Sequence, residues 1–346
     1  MTDTEIETVV VGAGQAGLAL SRHLTDRGRD HVLLERGRVA ERWHSERWDS
    51  FTLLTPHWLT RLPGWRYSGP DPDGFLDRKG IQEFFAGYAR SFAAPVRTGV
   101  TVTGVRPNAR GWVVRTDAGE LHAHNVVVAT GHLDRPAVPS LHRALPRDLV
   151  QLHTSAYRRP CQLPDGDVLV IGAGSSGREI ADELARTGRA VHIAVGRDPA
   201  LPYDAAVTDG RRLDLRELTS LGVVPRGRLV GVDAGDRLRF ADGLPSIDLR
   251  TAGIHSVVWA TGYGRNYSWL DAPVLDVAGD PVQRRGVTAA PGLFFLGLCP
   301  TRPAGSAGCR PQGFMSGRGA STIDGVGADA AFLADRIVAR SARAAA

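Results

Sequence analysis

One pattern occurs twice in this chain of 346 residues, and it limits the possible folds more than any other feature. Residues 6–17 read IETVVVGAGQAG, and residues 167–177 read DVLVIGAGSSG. Each is a β-branched run that passes directly into G-x-G-x-x-G. A helical pattern follows, LALSRHLTDRG in the first and REIADELARTG in the second. A further apolar strand comes after each helix, HVLLERG and AVHIAVGRD. The spacing predicts two strand–turn–helix–strand units. In such a unit the first glycine (Gly12, Gly172) permits the tight turn. The second (Gly14, Gly174) lets the backbone approach a pyrophosphate, and the third (Gly17, Gly177) lets helix and strand pack closely. The helix starts, Gln15 and Ala16 in one unit and Ser175 and Ser176 in the other, offer free N–H groups and a positive dipole end to phosphate. A lone glycine motif is weak. With both strands and the helix in place, twice, it predicts dinucleotide binding.

The end of the second strand separates two ligands. In the first unit it carries Glu35, followed by Arg36. A carboxylate there accepts hydrogen bonds from ribose hydroxyls and repels a 2′-phosphate, which suits FAD or NAD. In the second unit the matching region is AVGRD, with Arg197 and no acid before it. A guanidinium there can pair with a 2′-phosphate, which favours NADP over NAD. A second motif is also doubled: VVVATG at 126–131, containing Thr130, and VVWATG at 257–262. Each reads as a buried strand that closes one nucleotide unit.

Composition narrows the chemistry. Lys and Arg total 42, and only Lys79 is a lysine, so 41 are arginines. Lys79 sits in DRKG with no phosphate loop before it, which argues against Schiff-base enzymes and Walker-type nucleotide sites. The net charge of +5 comes from arginines interleaved with 37 acids, without a basic run, so no nucleic-acid partner is expected. Cys161, Cys299 and Cys309 form neither C-x-x-C nor a zinc pattern, so no metal and no dithiol pair is expected. With no basic, apolar leader and no run of 18 apolar residues, the chain reads as cytoplasmic and without a membrane span.

The paired glycine motifs, the GAGSSGREIADEL helix and both A-T-G strands resemble the class B, flavin-containing monooxygenases. The similarity is strongest to a bacterial branch of single-chain flavoproteins described as potassium-transport-associated. The stretches RWHSERWDSFTLLTPHWLTRLPG (42–64), DPDGFLDRKGIQEFFAGYA (71–89) and PGLFFLGL (291–298) carry that similarity. The resemblance implies an α/β fold of two Rossmann-like domains. An NADPH-binding domain, residues 156–255, would be inserted into a discontinuous FAD-binding domain, residues 1–155 and 256–346. It places Trp43 and Trp48 beside FAD, within an aromatic-rich stretch. The implied reaction inserts one oxygen atom from O2 into a small organic substrate through a flavin peroxide, so no catalytic side chain is assigned. In the family's F-x-G-x-x-x-H-x-x-x-(F/Y/W) pattern, His153 and Tyr157 are matched, while Arg147 and Leu149 stand where the aromatic residue and glycine belong. That departure keeps open an NADPH-dependent oxidase or dehydrogenase without oxygen transfer; a non-catalytic flavin-binding regulator is a further alternative. The segment 202–254 reads as short and loop-like.

At the C-terminal end, Ser321 is a candidate N-cap with Asp324 three residues on. Val326, Ala330, Leu333 and Ile337 recur at helical spacing. In two-domain flavoproteins such a helix points its positive end at the flavin, so Ser321 is counted among the cofactor contacts.

Overall fold

The first glycine unit folds as strand β1 (Glu5–Val11), helix α1 (Gln15–Asp26) and strand β2 (His31–Glu35). The structure is a computed structural model describing residues 5–196, 213–298 and 323–345. β1 and β2 pair in parallel, with Val9 opposite Val32 and Val11 opposite Leu34. Both faces of this pair are covered: Val9, Val10 and Leu33 have no exposed surface. That explains why their sequences are continuous apolar runs rather than alternating ones.

The sheet grows around β1. β3 (Val96–Thr98) adds beside β2, and β6 (Gly119–Val128) adds on the other side of β1, both in parallel. β6 changes partner along its length. Its first half pairs antiparallel with β5 (Gly111–Thr116), which pairs with β4 (Val102–Asn108). Its second half, Val126–Val128, pairs in parallel with β15 (Leu293–Phe295). The sheet therefore has seven strands, and one comes from the far end of the chain. Helix α6 (Val326–Ala345) packs against α1. Its Val326, Ala330, Leu333, Ala334 and Ile337 are fully buried, as the helical spacing predicts. Burying a Leu or Ile in this way contributes roughly 1.5–3 kcal/mol.

The second unit forms a separate five-stranded parallel sheet, ordered β7 (Val150–His153), β14 (Ile254–Trp259), β8 (Asp167–Ile171), β9 (Val191–Ala194) and β10 (Val224–Arg226). Helix α4 (Ser175–Arg186) connects β8 to β9 and buries Ile180, Ala181 and Leu184. The expected edges at 156 and 255 cut across this sheet, because β7 and the C-terminal part of β14 lie outside them. The segment expected to be loop-like is also structured over its described part. Helix α5 (Leu215–Ser220) begins with a capping box between Asp214 and Glu217. β11 (Leu229–Asp233), β12 (Arg237–Phe240) and β13 (Ile247–Asp248) form a small antiparallel sheet. Leu238 and Phe240 are buried in it, in strict alternation with exposed Arg237 and Arg239. That alternation over four residues is short enough to be lost among the surrounding glycines and prolines.

Candidate cofactor site between two glycine turns

Sterics make the glycine turns. Gly12 has φ +105°, and a Cβ there would lie 2.7 Å from the Ala129 carbonyl oxygen. A Cβ at Gly17 would lie 2.0 Å from the Gly12 carbonyl oxygen. The second turn repeats the arrangement: Gly172 has φ +112°, and a Cβ at Gly177 would approach the Gly172 oxygen to 1.9 Å. The middle glycines differ. At Gly14 and Gly174 an added Cβ meets nothing within 4 Å, so the backbone there is open to a phosphate from outside.

Glu35 holds the first turn in shape. One carboxylate oxygen accepts the Ala13 N–H at 2.9 Å, and the other accepts the Gly37 N–H at 3.0 Å. Each oxygen keeps a second lone-pair direction for a hydroxyl. A cavity of about 640 Å³ opens in front of this turn. Gly12, Gly14, Gln15, Ala16, Glu35, Arg36, Trp43 and Thr130 line it, and so do Ser175 and Ser176 at the start of α4. The two helix starts therefore face one space. This volume is within the ordinary range for a ligand site.

Other expected contacts lie elsewhere. Gly17 works beneath the turn rather than on the cavity wall, and Gly172, Gly174 and Gly177 shape the second turn without lining this cavity. Trp48, expected beside FAD, lies away from the cavity. It is only 2% exposed, does not line the cavity, and packs edge-on against Phe51 at 5.0 Å. It belongs to the hydrophobic core under the 42–64 stretch. Trp43 does face the cavity, held by near-parallel stacking on Phe85 of helix α3 (Arg78–Ser91). Arg197 and Ser321 lie outside the described residues, as do Cys299 and Cys309.

The cavity also contains residues that the motifs do not reveal. From helix α2 (Glu41–Ser45) and the turn after it come Arg42 and Arg47. Arg42 pairs with both oxygens of Glu46, at 2.8 and 2.9 Å, and with Asp134 at 3.2 Å. Arg36 reaches the same Asp134 at 3.4 Å. Arg47 lies over the Trp43 ring at 4.9 Å and the Phe51 ring at 5.4 Å. Burial pushes its guanidinium below its ordinary pKa. His132, directly after the first A-T-G strand, and Tyr263, directly after the second, also line the space. Burial, then the charges of Arg265, Arg42 and Arg47, hold His132 below the usual histidine range. The position following each A-T-G is the one sequence signal that could have found His132 and Tyr263.

His153 and Tyr157 make their hydrogen bonds within the second unit. The Nε2 of His153 lies 2.9 Å from the Gly262 carbonyl oxygen, so Nε2 carries the proton and donates. Its Nδ1 accepts from the Ser155 N–H at 3.1 Å. Burial holds this imidazole neutral by lowering its pKa. The Tyr157 hydroxyl donates to Glu183 of α4 at 2.8 Å, and Ser50 donates to the other Glu183 oxygen at 2.8 Å. Burial and then Glu183 push the Tyr157 phenol well up.

Comparison with known proteins places this geometry. Residues 9–208 match the family described as pyridine nucleotide-disulphide oxidoreductase. The chain belongs to this family. An uncharacterized CzcO-like oxidoreductase of Geobacillus kaustophilus is 31% identical over 96% of this chain and 98% of its own length. The probable indole-3-pyruvate monooxygenase YUCCA4 of Arabidopsis thaliana is 31% identical over 54% of this chain and 46% of its own. The flavin-containing monooxygenase of Stenotrophomonas maltophilia has the same fold, with a TM-score of 0.76 over 97% of this chain and 99% of that one, at 23% identity. The chain is therefore an oxidoreductase, similar to the class B flavin monooxygenases. Its two-sheet α/β architecture is the Rossmann-like pair expected from the sequence. Despite the family's name, its three cysteines contain no C-x-x-C pair. Among the described residues, no helix is long and apolar enough to cross a membrane.

Proposed function

We propose that this protein is an FAD-dependent, NADPH-consuming monooxygenase that inserts one oxygen atom from O2 into a small organic substrate. The observation that carries this reading is the shared cavity: the start of α1 and the start of α4 face one space. The first sheet is the FAD-binding domain in this reading, and the second is the nicotinamide-nucleotide domain inserted into it.

The residues fit FAD at the first turn. The open backbone at Gly14 and the N–H groups of Gln15 and Ala16 would hold a pyrophosphate, supported by the positive end of α1. Glu35 would accept ribose hydroxyls through the lone pairs that the backbone leaves free. Trp43 and Thr130 would bound the ring. Ser175 and Ser176 would hold the NADPH pyrophosphate at the start of α4, and Arg197 would hold its 2′-phosphate. Flavin bound in this way supplies two-electron acceptance from the nicotinamide and activation of O2. The chain's own part is to orient the two nucleotides, keep water from the reacting centre and hold His132 unprotonated beside it.

The test measures NADPH consumption by the purified protein across a panel of amines, thioethers and ketones under heavy-oxygen-labelled O2. Label in an organic product, tied to NADPH use, is the expected result. Peroxide alone at full turnover would instead establish an oxidase.

A further inference from the structure

We propose that Arg47 and His132 form an oxyanion subsite of the cavity, and that the substrate is a small organic acid whose carboxylate Arg47 receives. This names the substrate class for the reaction proposed above and rests on that reading.

Of the arginines lining the cavity, Arg36 and Arg42 both reach Asp134, and Arg42 also grips both oxygens of Glu46. Arg265, whose charge reaches His132, pairs with Asp280 at 2.6 Å. Arg47 differs. It donates to the Glu46 carbonyl oxygen at 3.2 Å, meets the Tyr263 side chain and lies on the faces of Trp43 and Phe51. Glu46 and Glu179 act on it as nearby charges, and among the described residues no carboxylate forms a salt bridge with it. A half-buried guanidinium without a carboxylate partner is costly unless something else completes it.

His132 is the second uncommitted group. It lines the same cavity, and among the described residues its ring makes no hydrogen bond. A neutral imidazole still has one donor to offer, and a guanidinium has several in a planar fork that matches a carboxylate. The nucleotide pyrophosphates each have a glycine turn and a helix start of their own. The cation on the Trp43–Phe51 wall is therefore left for a third anionic group.

The experiment is calorimetric titration of the purified FAD-bearing protein with benzoate and with its uncharged isostere benzamide. Benzoate should bind about tenfold tighter or better. Arg47→Gln should bring benzoate to the level of benzamide, leave benzamide binding unchanged and alter NADPH affinity little. Arg47→Lys should retain part of the preference. His132→Asn should weaken benzoate several-fold, and it carries the test if Arg47→Gln does not fold. The proposal is overturned if the wild type does not prefer benzoate, or if Arg47→Gln leaves benzoate binding intact. A loss that falls on NADPH instead would assign the oxyanion to a nucleotide phosphate and also overturn it. Binding needs neither O2 nor turnover, so failure of oxygen transfer and failure of this subsite are read separately.

Discussion

Three glycines in one turn have different jobs, and substitution separates them. Gly17→Ala drives a Cβ into the Gly12 carbonyl oxygen, so the turn itself must shift. The expected loss is about 1–3 kcal/mol of stability, measured by denaturant unfolding. Gly14→Ala meets no protein atom within 4 Å, and the backbone there has φ −83°, which alanine adopts freely. That variant should keep its unfolding midpoint and lose flavin on dialysis. Equal stability losses in the two variants would contradict the division of labour. Arg197→Glu belongs at the same scale: it should raise the concentration of NADPH needed for half-maximal activity far more than that of NADH. Equal effects on both nucleotides would remove Arg197 from the 2′-phosphate site.

At the scale of elements, one carboxylate of the second unit takes a donor from each unit. Glu183 of α4 accepts from both Tyr157 and Ser50. Tyr157→Phe keeps the ring in its buried place and removes one donor to that carboxylate. It should cost about 1–2 kcal/mol in denaturant unfolding, because a hydrogen bond to a charged acceptor is lost. No change would mean that solvent reaches Glu183 and replaces the phenol. The elements themselves were readable to different degrees. The glycine units were plain in the sequence because local sterics dictate their spacing. The partnership of Val150–His153 with Ile254–Trp259 was not, because pairing across a hundred residues leaves no local mark. Trp43 and Trp48 show the same limit. Five residues apart in one aromatic stretch, one faces the cavity and the other is core. Arg47 was missed because one arginine among 41 carries no signal until its neighbours are known.

Across the whole molecule, buried and half-buried histidines set a pH response. His23, His31, His44, His132, His153 and His192 are each pushed below the ordinary value of 6.5, with burial as the leading cause. His31 illustrates the arrangement, with Nδ1–H donating to the Arg29 carbonyl oxygen and Nε2 accepting from the Ser21 hydroxyl. Below 6.5 the unfolded chain takes up protons before the folded one does. The stability these groups contribute is therefore complete above 6.5 and is lost as pH falls toward their folded values. The melting temperature should be lower at about pH 5.5 than at about pH 7.5. A flat or rising profile on acidification would contradict the lowered histidine values.

The central claim concerns the same scale: two nucleotide units meet at one cavity and pass electrons across it. The most direct measurement mixes the purified yellow protein with NADPH in the absence of air and follows its colour. Prompt bleaching is expected, with colour restored on admitting O2 and FAD released from the protein on heating. A protein that binds FAD but stays yellow under NADPH would contradict it.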